Sequence, residues 1–161
     1  ALVAGNAQSN PLMAPDSAAQ TTWVEQQYGS MSAEERIGQL FMVMSSADPG
    51  KETNTRVSLH RLLAEYHLGG VIFSKGTPHT QARLTQSYQE LSRTPLLIAM
   101  DAEWGAAMRL DSTFAFPWNM TLGAVQDTGL LQDIGLQMGK QLKGLGVHIN
   151  FAPVLDINTN P

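Results

Sequence analysis

The sequence predicts an α/β fold in which about four parallel strands alternate with flanking helices. Short, uninterrupted apolar runs recur along the chain, and stretches with helical spacing of apolar residues separate them. Such runs indicate strands that are buried on both faces, which is typical of a parallel sheet covered by helices. The strands are predicted at 40–44, 70–76, 95–101 and within 147–161.

The helices are justified in turn by caps and periodicity. A helix is predicted over 21–31, with Trp23 and Tyr28 as packing residues. The next helix begins at Ser32, because serine at the N-cap and Glu35 three residues later form a capping box. Its apolar face is predicted to contain Ile37, Leu40 and Phe41.

Three further helices complete the alternation. One is predicted over 55–67 and is stopped by Gly69 and Gly70. The other two are amphipathic and cover 77–94 and 127–146. The resulting fold is either a small doubly wound sheet or part of a (β/α)₈ barrel. A complete barrel needs at least about 200 residues, so four strands in 161 residues would be half of one.

Composition excludes several classes of function. The net charge of −4 provides no basic footprint for nucleic acid. There is no cysteine for a disulfide or a thiolate metal site, and no apolar run long enough to span a membrane. The four histidines lack metal-ligand spacing, so neither a metal nor another cofactor is expected.

The first 20 residues are predicted to be a flexible N-terminal segment. They are rich in Ser, Ala, Pro and Gln, and "ALVAGNA" resembles the end of a signal peptide with cleavage after Ala7. A periplasmic or secreted location follows as an expectation. A plain terminal tail is the alternative.

Charged side chains follow the third predicted strand at the point where it ends. Glu103 is two residues after Asp101, and Arg109 is eight residues after Asp101. In both candidate architectures the binding side chains lie at the carboxyl ends of the strands. A carboxylate accepts hydroxyl hydrogens and a guanidinium donates to further oxygens, a combination suited to a sugar. The alternative is an ion pair that ties the loop down. Asp156, past the fourth strand, is a further candidate.

Several motifs together resemble the N-terminal barrel domain of glycoside hydrolase family 3. "LLIAMDAEWGAAMRL" carries the D-x-E-x-G-x-x-x-R signature in Asp101, Glu103, Gly105 and Arg109. "MSAEERIGQLFMV", "LGGVIFSKG", "FPWNMTLGA" and "LGVHINFAPVLDINTNP" resemble the family's other segments, so that the resemblance covers 21–161. The D-x-E form points to the β-N-acetylhexosaminidase branch. Trp104 departs from the family pattern, where glycine is commoner.

The resemblance implies a retaining glycosidase that removes terminal β-linked N-acetylhexosamine residues. It implies that Asp101 holds sugar hydroxyls at the cleavage subsite and that Arg109 assists. Glu103 is expected to orient the loop or Arg109, and Asp156 to be structural. The alternatives are a β-glucosidase or β-xylosidase of the same family, or a non-catalytic sugar-binding protein.

No carboxylate in the 161 residues matches the family's nucleophile or its acid/base residue. The chain is therefore expected to form the first half of a barrel and to be inactive alone. Half a barrel has two unpaired edges and an apolar face, so self-association or completion by the other half is also expected.

Overall fold

The structure is a computed structural model, and it describes residues 17–48 and 52–156. Within these ranges the chain forms six α-helices and four strands, together with a single turn of 3₁₀ helix at Ala106–Met108. In chain order the helices and strands are α1 (Ser17–Ser30), α2 (Ala33–Gly38), β1 (Met42–Ala47), α3 (Glu52–Tyr66), β2 (Gly70–Gly76), α4 (Pro78–Leu91), β3 (Leu97–Met100), α5 (Asn119–Gly123), α6 (Thr128–Gly144) and β4 (Ile149–Asn150).

The four strands form one parallel sheet in the order β1-β2-β3-β4. Spatial order follows chain order with no reversal. A doubly wound sheet reverses its strand order at a switch point, whereas a barrel adds each strand on the same side of the last. The sheet therefore confirms the predicted α/β class and has the topology of a partial barrel.

The core lies between the sheet and the helices α3 and α4. Phe73 of β2 stacks on Tyr88 of α4, with their ring centroids 6.3 Å apart. The Tyr88 hydroxyl also forms a buried 3.0 Å hydrogen bond with Ser45 of β1. Leu59 and Leu63 of α3 are fully buried in the same core. One face of the sheet is thus sealed by apolar packing and by a satisfied polar pair.

The opposite face of the sheet is partly open in the part of the chain that the structure describes. Met44, Ile72 and Ala99 are partners in register, so their side chains share this face. Met44 is 66% exposed, and Leu97, two residues before Ala99, is 50% exposed. Ala99 has no exposed surface and Ile72 is partly buried, so this apolar face is only partly open among the described residues.

The amino ends of the strands are tied together through Glu35. The predicted capping box is confirmed, because Ser32 Oγ accepts from Glu35 N at 3.2 Å and Ser32 N donates to Glu35 Oε2 at 2.7 Å. Arg93, in the turn before β3, donates to Glu35 Oε1 at 2.8 Å. The Ser32 backbone N–H is the main cause, and Arg93 a smaller one, of a pKa of Glu35 below its usual value.

Two predictions about the N-terminal region are corrected. Trp23 and Tyr28 are exposed and α1 buries none of its residues, so the packing role predicted for Trp23 is wrong, whereas the Tyr28 ring packs against the Arg36 guanidinium, which lies 3.9 Å from the ring centroid. Residues 17–20 of the predicted flexible segment lie in α1, and residues 1–16 lie outside the described residues.

The first strand begins later than predicted. It starts at Met42 rather than residue 40, because the backbone of Leu40 and Phe41 is still turning, with bonds to Ile37 O and Gly38 O. Leu40 is 83% exposed, so an apolar residue before a strand did not mark its start.

The third helix also ends earlier than predicted. It stops at Tyr66, and His67 takes a left-handed conformation with φ 50°. Gly69 has a different role from a helix stop, because a Cβ there would overlap the backbone oxygen of Gln39. This close approach brings the turn before β2 against the turn before β1.

We predict that Ser45→Ala lowers the free energy of unfolding by about 1 kcal/mol or more, because the buried Tyr88 hydroxyl loses this hydrogen-bond partner. The matched control is Ser46→Ala on the other face of β1, where the half-buried Ser46 hydroxyl accepts a 3.3 Å bond from Asp48 N. This control should change the free energy of unfolding by no more than about 0.5 kcal/mol. Equal losses in denaturant titrations of the two variants would contradict the prediction.

Candidate functional site

The site is built at the carboxyl end of β3. Ile98, Ala99 and Met100 have no exposed surface, because β3 pairs with β2 on one side and with β4 on the other. Asp101, the next residue, is only partly buried. It is the first position after the strand at which a carboxylate can keep contact with water, and this explains why the apolar run ends in a charge.

Asp101 and Arg109 form a two-point contact. Arg109 Nη2 donates to Asp101 Oδ2 at 2.8 Å, and Arg109 Nε donates to the backbone oxygen of Asp101 at 3.0 Å. The side chains are 38% exposed for Asp101 and 26% for Arg109. The ion pair of the second interpretation therefore exists, ties the loop to the strand and is open to solvent, while the sugar-holding role stays a prediction.

The ion pair leaves acceptor and donor groups for a ligand. Among the described residues, Asp101 Oδ1 and Arg109 Nη1 have no hydrogen-bond partner. A charged oxygen and a charged N–H group held side by side can accept from one hydroxyl and donate to another. This is the hydrogen-bonding pattern that neighbouring hydroxyls of a sugar need.

Arg109 also lines a polar cavity of about 300 Å³. Asp48 follows β1 and Lys75 lies at the end of β2, so residues from three successive strand ends meet there. Asp111 completes the charged lining and is held by a 2.8 Å bond from its backbone N–H to Gly76 O. Lys75 falls near the end of the strand predicted at 70–76, but the sequence gave no signal that Asp48 would join it.

Gly105 shapes the loop that delivers Arg109. It has φ 87°, and a Cβ on it would lie 2.6 Å from the Phe116 ring and 2.9 Å from Gln141 Oε1. A side chain is therefore excluded both by conformation and by space. The 3₁₀ turn that follows ends at Arg109, whose backbone N–H donates to Ala106 O at 2.9 Å.

Two amide side chains that the sequence interpretation missed hold the same loop. Gln141 of α6 accepts from Ala106 N at 2.8 Å and donates to Phe114 O at 3.1 Å. Asn150 of β4 accepts from Ala102 N at 2.9 Å and donates to Ala102 O at 3.4 Å. Asn150 lies in the quoted motif "LGVHINFAPVLDINTNP", but nothing in that motif indicated which backbone groups its side chain would contact.

Glu103 and Asp156 lie apart from the ion pair. Glu103 faces a larger cavity of about 440 Å³ that also involves Asn119, Met138 and Asn150. No hydrogen bond or ion pair joins Glu103 to Arg109 among the described residues, so the expected orienting contact is not formed directly. Asp156 is exposed beyond β4, and its structural role stays a prediction.

Trp104, the departure from the family pattern, packs against a second tryptophan. Its ring centroid lies 5.9 Å from that of Trp118, with the planes tilted by 44°. The Trp104 backbone oxygen accepts from Phe116 N at 3.2 Å. The substitution is thus accommodated within the loop after β3.

Neither a metal cluster nor a membrane-crossing helix is found in the described ranges. They contain no group of three His, Cys, Asp or Glu side chains that could hold a metal ion. None of their helices is long and apolar enough to cross a bilayer.

The profile of the glycosyl hydrolase family 3 N-terminal domain matches residues 32–161. The chain belongs to this family. Among family relatives, "Beta-hexosaminidase A" of Pseudoalteromonas piscicida is 32% identical over 116 residues, which are 64% of this chain and 19% of that protein. "Beta-hexosaminidase" of Alkalilimnicola ehrlichii is 35% identical over 131 residues, or 75% of this chain and 36% of that protein.

Other similar proteins carry different activities in their names. "Beta-N-acetylglucosaminidase/beta-glucosidase" of Cellulomonas fimi is 29% identical over 139 residues, 86% of this chain and 23% of that protein. The solved structure of "Beta-glucoside phosphorylase BglX bound to 2FGlc" matches with a TM-score of 0.79 at 25% identity, over 90% of this chain and 25% of that one. The chain therefore spans about a fifth to a third of the length of these relatives.

Proposed function

We propose that this domain provides the sugar-holding part of the active site of a retaining glycosidase that removes terminal β-linked N-acetylhexosamine residues. The observation that carries the proposal is the Asp101–Arg109 contact, which fixes both side chains but leaves Asp101 Oδ1 and Arg109 Nη1 for a ligand. Membership of family 3 supports glycoside chemistry, and relatives named β-hexosaminidase support the choice of sugar.

In this proposal Asp101 accepts hydrogen bonds from two hydroxyls of the sugar at the cleavage subsite. Charged acceptors form stronger hydrogen bonds than neutral ones, and the pre-formed ion pair avoids the cost of orienting the carboxylate at binding. Hydroxyl contacts that strengthen as the oxocarbenium-like transition state forms contribute to the rate as well as to affinity. Arg109 keeps the carboxylate in place and adds a donor.

Four alternatives are separated by one set of assays. The names of the Cellulomonas relative and of the solved phosphorylase favour a β-glucoside substrate, and a β-xyloside would be a smaller relative of it. The name of the solved phosphorylase suggests a further alternative, in which inorganic phosphate rather than water accepts the sugar. A non-catalytic sugar-binding protein would bind without turnover. Aryl N-acetyl-β-glucosaminide, β-glucoside and β-xyloside, each with and without phosphate, distinguish these cases in the intact protein.

We predict that Asp101→Ala lowers kcat/KM of the intact protein by about 10³-fold, since it removes two charge-assisted hydrogen bonds of roughly 1.5–3 kcal/mol each. Arg109→Ala acts in the same direction with a smaller effect. Asp133→Ala, which removes an exposed carboxylate from α6, serves as the matched control and retains activity. Near wild-type kcat/KM for Asp101→Ala would leave the ion pair with a structural role alone.

A second prediction concerns the 161-residue chain by itself. We propose that it is inactive and self-associated, because no carboxylate matches the family's nucleophile or acid/base and because Met44 and Leu97 expose an apolar sheet face. Unpaired edges at β1 and β4 add backbone groups that seek partners. Light scattering should show a mass above that of one chain. A monomer at high concentration that unfolds cooperatively and binds no apolar dye would contradict this.

We further propose a periplasmic or secreted location. The support is the "ALVAGNA" stretch, which has the apolar run and small residues of a signal-peptide end. Fractionation of cells that express the intact protein, followed by detection of this domain, tests the location directly.

A further inference from the structure

Ala102 lies between the two carboxylates of the signature and has no exposed surface. Both of its backbone hydrogen-bonding groups contact one side chain: Ala102 N donates to Asn150 Oδ1 at 2.9 Å, and Asn150 Nδ2 donates at 3.4 Å to Ala102 O, which also accepts from Gly105 N at 3.1 Å. Because the backbone N–H can only donate, it fixes which atom of the amide faces it.

This contact replaces sheet pairing at the point where the sheet ends. β4 is two residues long, and its last partner pair is Met100 with Asn150. Among the described residues no strand pairs with the chain just beyond that point, so the Asn150 side chain takes the backbone N–H of Ala102. The residue it holds follows Asp101 directly, and rotation of that peptide would turn the Asp101 carboxylate.

The same device occurs at the other end of β3. Gln89 of α4 accepts from Leu96 N at 2.9 Å and donates to Leu96 O at 2.9 Å. Amide side chains thus hold the backbone at both ends of β3. Gln89 lies away from the candidate site and Asn150 lies within it. Comparing variants of Gln89 and Asn150 therefore separates two effects. Loss of either contact should lower the stability of the fold, but only loss of the Asn150 contact can disturb the site.

We propose that Asn150 is a positioning residue that acts through Asp101 by fixing the Ala102 peptide. The proposal rests on the proposed function, since it assigns Asn150 to the same sugar-holding site. Asn150 itself needs no contact with the sugar for this role.

The test uses the intact protein and four variants: Asn150→Ala, Gln89→Ala, Asp101→Ala and the double variant of Asn150 and Asp101. We expect Asn150→Ala to lower kcat/KM about tenfold, the effect of losing one hydrogen bond at the site. In the Asp101→Ala background, Asn150→Ala should lower kcat/KM by less than about twofold. Asn150 acts through Asp101, and in that background there is no carboxylate left to position. Gln89→Ala should lower Tm as much as Asn150→Ala, with kcat/KM within about twofold of wild type.

Asn150→Asp provides a conservative rescue. It keeps the acceptor for Ala102 N, and its protonated form also keeps a donor for Ala102 O, so it should recover part of the lost activity and more of it as the pH falls. A full tenfold effect of Asn150→Ala in the Asp101→Ala background, or an equal kinetic effect of Gln89→Ala, would overturn the inference. If Asn150→Ala does not fold, Asn150→Asp and Asn150→Ser in the two backgrounds decide it by the same comparison.

The failures of the two proposals have different signatures. Absence of turnover by the wild-type protein on every glycoside removes the proposed function, and the inference falls with it. Wild-type turnover that depends on Asp101 but not on Asn150 removes the inference alone.

Discussion

Complete burial of the last three residues of β3, which is paired along both edges, is the constraint on which the rest of the site depends. Ile98, Ala99 and Met100 are fully buried, and a charge among them would have no route to water. A charged side chain can therefore be placed only where the strand ends, and Asp101 is the first residue after that end. Because β1 and β2 run parallel to β3, Asp48 and Lys75 emerge at the same edge of the sheet and share a cavity with Arg109.

The loop after β3 has to return Arg109 to the carboxylate that precedes it by eight residues. A left-handed Gly105, a short 3₁₀ turn and the bond from Asp111 N to Gly76 O fold it back over the end of the sheet. Gln141 holds the middle of the loop and Asn150 its first peptide. The guanidinium is thus placed by backbone geometry and by neutral amides, so its charge remains available for the carboxylate and for a ligand.

Sequence reasoning succeeded where a pattern is local and failed where partners are distant in the chain. The capping box at Ser32 and the strand over Gly70–Gly76 follow from short-range rules, and the structure has both. The apolar character of Trp23 and Leu40 predicted burial, but Trp23 is 50% exposed and Leu40 83% exposed. Asp101 and Arg109 were found through their motif. Asn150 and Gln141 were missed, because a polar amide far along the chain gives no sign of the peptide it will hold.

Amide hydrogen exchange at Ala102 tests the central claim most directly, namely that the order of the buried strand extends past Met100 into the site. The Ala102 N–H is buried and donates to Asn150, whereas Ser112, farther along the same loop, is exposed. We expect Ala102 to exchange as slowly as Ile98, whose N–H donates to His148 Nδ1 at 3.0 Å, and far more slowly than Ser112. Exchange of Ala102 at the rate of Ser112 would show that the strand's order stops at Met100 and that Asp101 stands on a mobile loop.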